Sequence, residues 1–183
     1  MTMSWNRGRQ KQDLAGEPGK VYAAALRALA RRDHSEHELR QKLYDRGADS
    51  DMVDIAIGRL RGYGYLDEQR IAENIIHYHC NFKPSGRALL RRKLAEKGIG
   101  EEYIEQAMDE YYTEYDEQSA LAALVVKEMA SFFGDSASTG EKENDSAEYA
   151  EQKNKKMLSL VRRLERRGFP PAMIWKEITK VRD

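Results

Sequence analysis

Two imidazoles and a thiol stand almost side by side at His77, His79 and Cys80, and imidazole and thiolate are common zinc ligands. On a helix, ligands to one ion need i, i+3 or i, i+4 spacing, whereas residues two apart diverge. His77 and His79 are two apart, so helical geometry argues against a metal there. His34 and His37 have the helical spacing but no third ligand nearby, and they read as polar surface around a helix start. A second possibility is the acidic run Glu101, Glu102, Glu105, Asp109, Glu110, Glu114, Asp116 and Glu117, which holds no basic residue. Carboxylates perform acid–base work when a pocket separates their pKa values. Nothing in this run suggests burial, and a solvated helix face accounts for it. The sequence contains no Walker phosphate loop, dinucleotide fingerprint or nucleophile elbow, so no enzyme, cofactor or metal site is expected.

The cations carry more information. Lys and Arg total 31 against 31 Asp and Glu, yet the zero net charge hides a strong segregation. Arg87, Arg91, Arg92, Lys93 and Lys97 face only Glu96 between Ser85 and Gly98. Lys153, Lys155, Lys156, Arg162, Arg163, Arg166 and Arg167 face only Glu165 between Lys153 and Gly168. The excess recurs at matching places: Gln41, Arg92 and Arg162; Lys42, Lys93 and Arg163; Arg46, Lys97 and Arg167. Arg31 and Arg32 add to it at the end of the first helix. In stacked units those positions align into a cationic stripe, which binds phosphates by releasing their counterions.

The elements that position these cations are written three times in the chain. Each copy has a leucine, another four residues on, then a cation, a glycine and an apolar residue: Leu39, Leu43, Arg46, Gly47, Ala48; Leu90, Leu94, Lys97, Gly98, Ile99; Leu160, Leu164, Arg167, Gly168, Phe169. This is a helix ending, with leucines on one face, a cation at the negative end of the dipole, and glycine free to turn left-handed at C′. Val53, Ile104 and Ile174 each lie six residues past the glycine, so a further helix follows each cap. Ser35 as N-cap with Glu38 at N3 forms a capping box at the start of the first copy's helix. Asp49 and Gly100 suit N-caps and Pro171 suits a first helical position. The glycines are 51 and then 70 residues apart, and repetition at such a period means units that bury their apolar faces on one another.

The expectation is an all-α protein of three tandem three-helix repeats stacked into an elongated curved array. A flexible tail spans residues 1–18, and repeats span 19–66, 67–115 and 116–183. The third carries a flexible acidic insert at about 134–150, where Gly, Ser, Thr, Asn and acid replace apolar residues. With a single cysteine, no intramolecular disulfide forms. No apolar run approaches the roughly 20 residues of a membrane span. A cytoplasmic protein with no membrane contact is expected.

Taken together, the segment Ala25–Leu43 with Arg31-Arg32-Asp33-His34-Ser35-Glu36-His37-Glu38-Leu39, the stretch Gly64-Tyr65-Leu66-Asp67-Glu68 running on to Ala72, and Arg91–Gly98 resemble the RecX family of bacterial regulatory proteins. The resemblance is specific over residues 21–111 and recognisable around the basic helix and Gly168. It fails over the tail and over residues 134–148. It implies an all-α protein of three-helix repeats that binds the RecA recombinase filament on single-stranded DNA, needs no cofactor and has no catalytic activity of its own. Such proteins generally restrain RecA, lowering its ATP hydrolysis, strand exchange and co-protease activity in DNA repair, recombination and the SOS response. Single-stranded DNA, with duplex DNA a further ligand, and RecA are the expected partners of a monomer. The expected contact residues are Arg31, Arg32, Lys42, Arg87, Arg91, Arg92, Lys93, Lys97, Arg162, Arg163, Arg166 and Arg167, while Ser35, Glu38, Gly47, Gly98 and Gly168 hold the helix ends. Two other functions fit the same residues: a helix-turn-helix-like DNA-binding regulator, and a helical scaffold that binds only protein.

Overall fold

The computed structural model describes residues 14–112, 117–133 and 147–182. Every regular element among them is an α-helix: α1 (Pro18–Leu29), α2 (Glu36–Tyr44), α3 (Ser50–Gly62), α4 (Glu68–Phe82), α5 (Arg87–Glu96), α6 (Glu101–Tyr112), α7 (Glu117–Phe133), α8 (Ala147–Arg166) and α9 (Pro171–Arg182). The protein is an all-α helical repeat array in which α2, α5 and α8 occupy equivalent places. Each of these three runs into a glycine of positive φ, +83° at Gly47, +71° at Gly98 and +86° at Gly168. After α2 the amides of Gly47 and Ala48 donate to the carbonyls of Tyr44 (2.9 Å) and Leu43 (3.2 Å). After α8 those of Gly168 and Phe169 donate to Glu165 (2.8 Å) and Leu164 (3.4 Å). Both are Schellman pairs, and the leucine at C3 and the apolar residue at C″ are buried in all three copies.

The described residues form two compact units. Unit 1 holds the residues up to Ile71 together with Lys97–Ile99. In it α1 packs on α2 and α3. Val21, Ala24, Ala25 and Ala28 of α1 meet Leu39 and Leu43 of α2 and Val53, Ala56, Ile57 and Leu60 of α3 in one core. Leu14 is 1% exposed and joins that core, and its amide donates to Arg46 O at 3.2 Å. Residues 14–17 are therefore fastened rather than part of a free tail, and α1 starts at Pro18. Residues 1–13 of the expected tail lie outside the described residues. Asp49 precedes α3, but its carboxylate accepts from the Gly16 amide at 3.4 Å and makes no side-chain cap to α3.

Lys97–Ile99 join unit 1 because of what they touch. The Ser35 hydroxyl donates to Lys97 O, the Lys97 ammonium donates to Glu38 Oε1 at 2.9 Å, and Gly98 lies directly against His37. Ser35 also accepts from the Glu38 amide at 3.1 Å, and Glu38 accepts from the Ser35 amide, so the capping box of α2 is complete. His34 is 3% exposed, a buried group rather than the polar surface expected of it.

Unit 2 holds Ala72–Glu96 and the described residues from Gly100 onward. Here α5 packs on α6, and α9 packs on both α7 and α8. Leu121 and Val125 of α7, Leu160 and Leu164 of α8, Phe169, and Ile174 and Ile178 of α9 build its core. The same docking is repeated within this unit: the Gly86 amide, at the start of α5, donates to Arg167 O at 2.7 Å, and Gly168 lies against Leu89. A glutamate completes each arrangement. The first amide of α2, at Glu36, donates to Glu68 Oε1 at 2.6 Å. The first amide of α5, at Arg87, donates to Glu117 Oε1 at 2.8 Å. Because α8 begins at Ala147, residues 147–150 of the expected insert are helical. Residues 134–146 lie outside the described residues.

Candidate nucleic-acid interface

The structure divides the twelve candidate cations by what they touch. Arg91 reaches Glu101 at 2.6 Å and also pairs with Glu105, and Arg87 reaches Asp109 at 3.6 Å. The acidic run on α6 is thus partly taken up by α5 rather than solvated throughout. Arg163 pairs with Glu128 of α7. Arg32 reaches Glu38 at 3.1 Å, sharing that carboxylate with Lys97. Burial raises the Glu38 carboxyl, but hydrogen bonds from Arg32 and Lys97 outweigh it and bring the pKa down to about 2. These pairs link one helix or cap to the next, the Glu38 and Glu128 carboxylates through largely buried side chains.

The other cations face outward. Arg31 and Lys42 are exposed in unit 1. In unit 2, Arg92 of α5 and Lys155, Ser159, Arg162, Glu165 and Arg166 of α8 line a groove of about 700 Å³. Arg92 meets Glu96 at 3.5 Å, and Lys155 meets Glu151 at 2.7 Å, both through exposed side chains. Exposed pairs of this kind contribute little energy and yield readily to phosphate. Three of the cations singled out in the sequence, Arg92, Arg162 and Arg166, therefore converge on one surface. The reason is helical: Arg162 and Arg166 are four apart on α8, and Lys155 lies seven before Arg162, on the same face.

A second cavity of about 810 Å³ in unit 2 is lined by Lys83, Lys93, Lys127 and Arg167, with Phe82, His79 and Ser85 among its walls. Lys93 and Arg167 belong to the cationic pattern of the sequence. Lys83 and Lys127 were missed because each is a single cation in an otherwise unremarkable segment. His79 explains how Lys83 is held. Its ring Nδ1 lies 3.0 Å from Ser85 Oγ and 3.3 Å from Lys83 O, and the Ser85 hydroxyl donates to Lys83 O at 2.7 Å. Burial lowers the His79 pKa, which suits a neutral imidazole bracing the turn after α4. His77 goes elsewhere, its ring edge-on to Tyr111 at 5.0 Å. Burial raises the Cys80 thiol, disfavouring the thiolate that a metal would need. Among the described residues no three His, Cys, Asp or Glu side chains gather as a metal site. No described helix is long and apolar enough to cross a membrane.

The chain is similar to known proteins. Family models of the first and second three-helix domains of RecX match residues 22–60 and 67–108. A regulatory protein RecX from Vibrio parahaemolyticus is 34% identical over 146 residues, 80% of this chain and 81% of that protein. The chain belongs to the RecX family of regulatory proteins. A second RecX protein, from Vibrio campbellii, is 32% identical over the same shares of both chains. The crystal structure of RecX from Lactobacillus salivarius has a TM-score of 0.68, covering 91% of this chain and 97% of that one at 22% identity, a likeness of fold. The two RecX domain matches fall on α1–α3 and on α4–α6, each centred on a middle helix that ends at one of the left-handed glycines. Membership gives the chain a regulatory role.

Proposed function

We propose that this RecX-family chain binds the RecA recombinase filament on single-stranded DNA and restrains it, lowering ATP hydrolysis, strand exchange and co-protease activity. The observation that carries the proposal is the groove where Arg92, Lys155, Arg162 and Arg166 come together on a chain with no net charge. A neutral protein has no global attraction for a polyanion, so phosphate binding has to come from a local cluster. Arginine suits that task, since its planar guanidinium holds phosphate oxygens in pairs and stays charged. A polar, charged groove also fits a regulator that works by occupying a nucleoprotein surface rather than by chemistry. The test is RecA ATP hydrolysis on single-stranded DNA with this protein titrated in. Hydrolysis should fall as the protein approaches the amount of RecA. Hydrolysis unchanged at excess protein would sink the proposal, and accelerated hydrolysis would reverse its sign. A sequence-specific duplex reader would instead favour one duplex by orders of magnitude over random DNA.

A further inference from the structure

The groove that holds Lys83, Lys93, Lys127 and Arg167 has an apolar neighbour of an unusual kind. Phe82, the last residue of α4, lines it and is 74% exposed. Tyr78, one turn earlier, is 47% exposed and its ring centroid lies 5.7 Å from that of Phe82, at 37°. Lys83 sits over the Tyr78 ring at 5.9 Å. An exposed phenylalanine costs hydration free energy and carries no polar end to offset it. Among the described residues Phe82 is the most exposed of the large apolar side chains. The cations beside it are unclaimed: among the described residues no carboxylate lies within ion-pair distance of Lys93, Lys127 or Arg167, and Glu128, in the same groove, is taken by Arg163.

We infer that this groove is a nucleotide-stacking subsite for single-stranded nucleic acid, in which Phe82 takes one base face-on, Tyr78 extends the platform, and Lys83, Lys93, Lys127 and Arg167 hold the flanking phosphates. Aromatic faces bordering a cationic channel are how single strands are bound without sequence preference, because every base has a π-face and only an unpaired base exposes it. The His79–Ser85 turn places Lys83 beside the platform. Duplex DNA keeps its bases stacked internally, so it gains only the phosphate contacts here. The inference rests on the reading of this protein as a single-strand-associated regulator. It adds where the strand is read as single and by which residues.

The experiment is binding of labelled oligothymidylate and of a labelled random duplex to the full chain, by fluorescence anisotropy over a range of salt. Phe82→Ala should weaken oligothymidylate binding by about 5- to 150-fold, the equivalent of about 1–3 kcal/mol for one stacked base. The salt slope and the duplex affinity should stay as they are. Phe82→Trp should restore or improve the affinity. Because Phe82 is exposed, both variants should keep the wild-type melting temperature, which shows that the loss is not unfolding. Equal oligothymidylate affinity in wild type and Phe82→Ala overturns the inference while leaving RecA regulation standing. So does a Phe82→Ala variant that binds the strand normally but loses its effect on RecA, since the aromatic pair is then a protein contact. A wild-type chain with no affinity for the oligonucleotide removes the subsite, and the effect on RecA hydrolysis then decides the functional reading separately.

Discussion

Gly98 shows how much a single residue is asked to do. Its φ of +71° lies where side chains other than glycine are strained, and a Cβ at this position would overlap His37. Gly98→Val should lower the unfolding free energy by about 2–4 kcal/mol, through backbone strain and steric overlap together, read as a reduced urea midpoint. The two causes separate when Gly98→Ala in the wild-type background is compared with Gly98→Ala in a His37→Gly background, since removing the whole His37 side chain, Cβ included, relieves the overlap and leaves the strain. A valine variant as stable as wild type would refute the account. Next to it, Glu38 makes acid stability measurable. Its carboxyl titrates at about 2 in the folded protein against an ordinary 4.5, so the folded state binds that proton less readily than the unfolded one. The stabilisation is present above pH 4.5 and is lost as pH falls through that window towards 2. The urea midpoint should therefore drop between those values, and drop less steeply in Lys97→Met, which removes one of the two hydrogen-bonding cations. Parallel curves for the two proteins would show that Lys97 does not hold Glu38.

At the scale of elements, the notable device is the capping of one middle helix by a glutamate from the helix group that follows. Glu68 accepts the first amide of α2 and Glu117 accepts the first amide of α5, each satisfying an orphan donor at the positive end of a helix dipole. Glu117→Ala should cost about 1 kcal/mol, the usual worth of an N-terminal cap, whereas Glu117→Gln keeps an acceptor oxygen and should cost less. Thermal melts of both variants test this, and equal losses would mean that the charge, not the hydrogen bond, matters. The pattern behind it stands in the chain as Asp67-Glu68 and Asp116-Glu117. It is harder to read than the leucine-glycine endings for a physical reason. A Schellman ending is local, so its spacing and chemistry lie within ten residues. A glutamate that caps a helix some thirty residues away has the same composition as any acid in a first turn, and only the packed units reveal its partner. The same holds for the cations. The basic runs and the repeat made Arg92, Arg162 and Arg166 legible as cations of one kind, but nothing local distinguishes Arg91 and Arg163, which face acids from other helices. Leu14 was missed likewise, because it owes its burial to chain some thirty residues away.

For the whole molecule, charge segregation sets the terms of binding. With 31 cations and 31 acids, removing any cation changes the net charge equally, so a global electrostatic effect would make every Arg→Ala variant alike. The structure argues that they differ. Arg92, Arg162 and Arg166 share an open groove, whereas Arg91 and Arg163 are engaged with Glu101, Glu105 and Glu128. Each phosphate neutralised on a single strand contributes about 0.7 to the slope of log affinity against log salt. Arg92→Ala/Arg162→Ala/Arg166→Ala should therefore lower the magnitude of that slope by about 2 and leave the melting temperature close to wild type. Arg91→Ala/Arg163→Ala should keep the slope and lower the melting temperature instead, chiefly because Glu128, only 19% exposed, loses its partner. The measurement is oligonucleotide affinity at several salt concentrations, with a melt on the same samples. If both sets reduce the slope by the same amount per arginine, the ion pairs open on binding and the cationic stripe acts as a whole. If neither does, the groove between α5 and α8 is not where the strand lies, and phosphate contact has to be sought at Lys83, Lys93, Lys127 and Arg167.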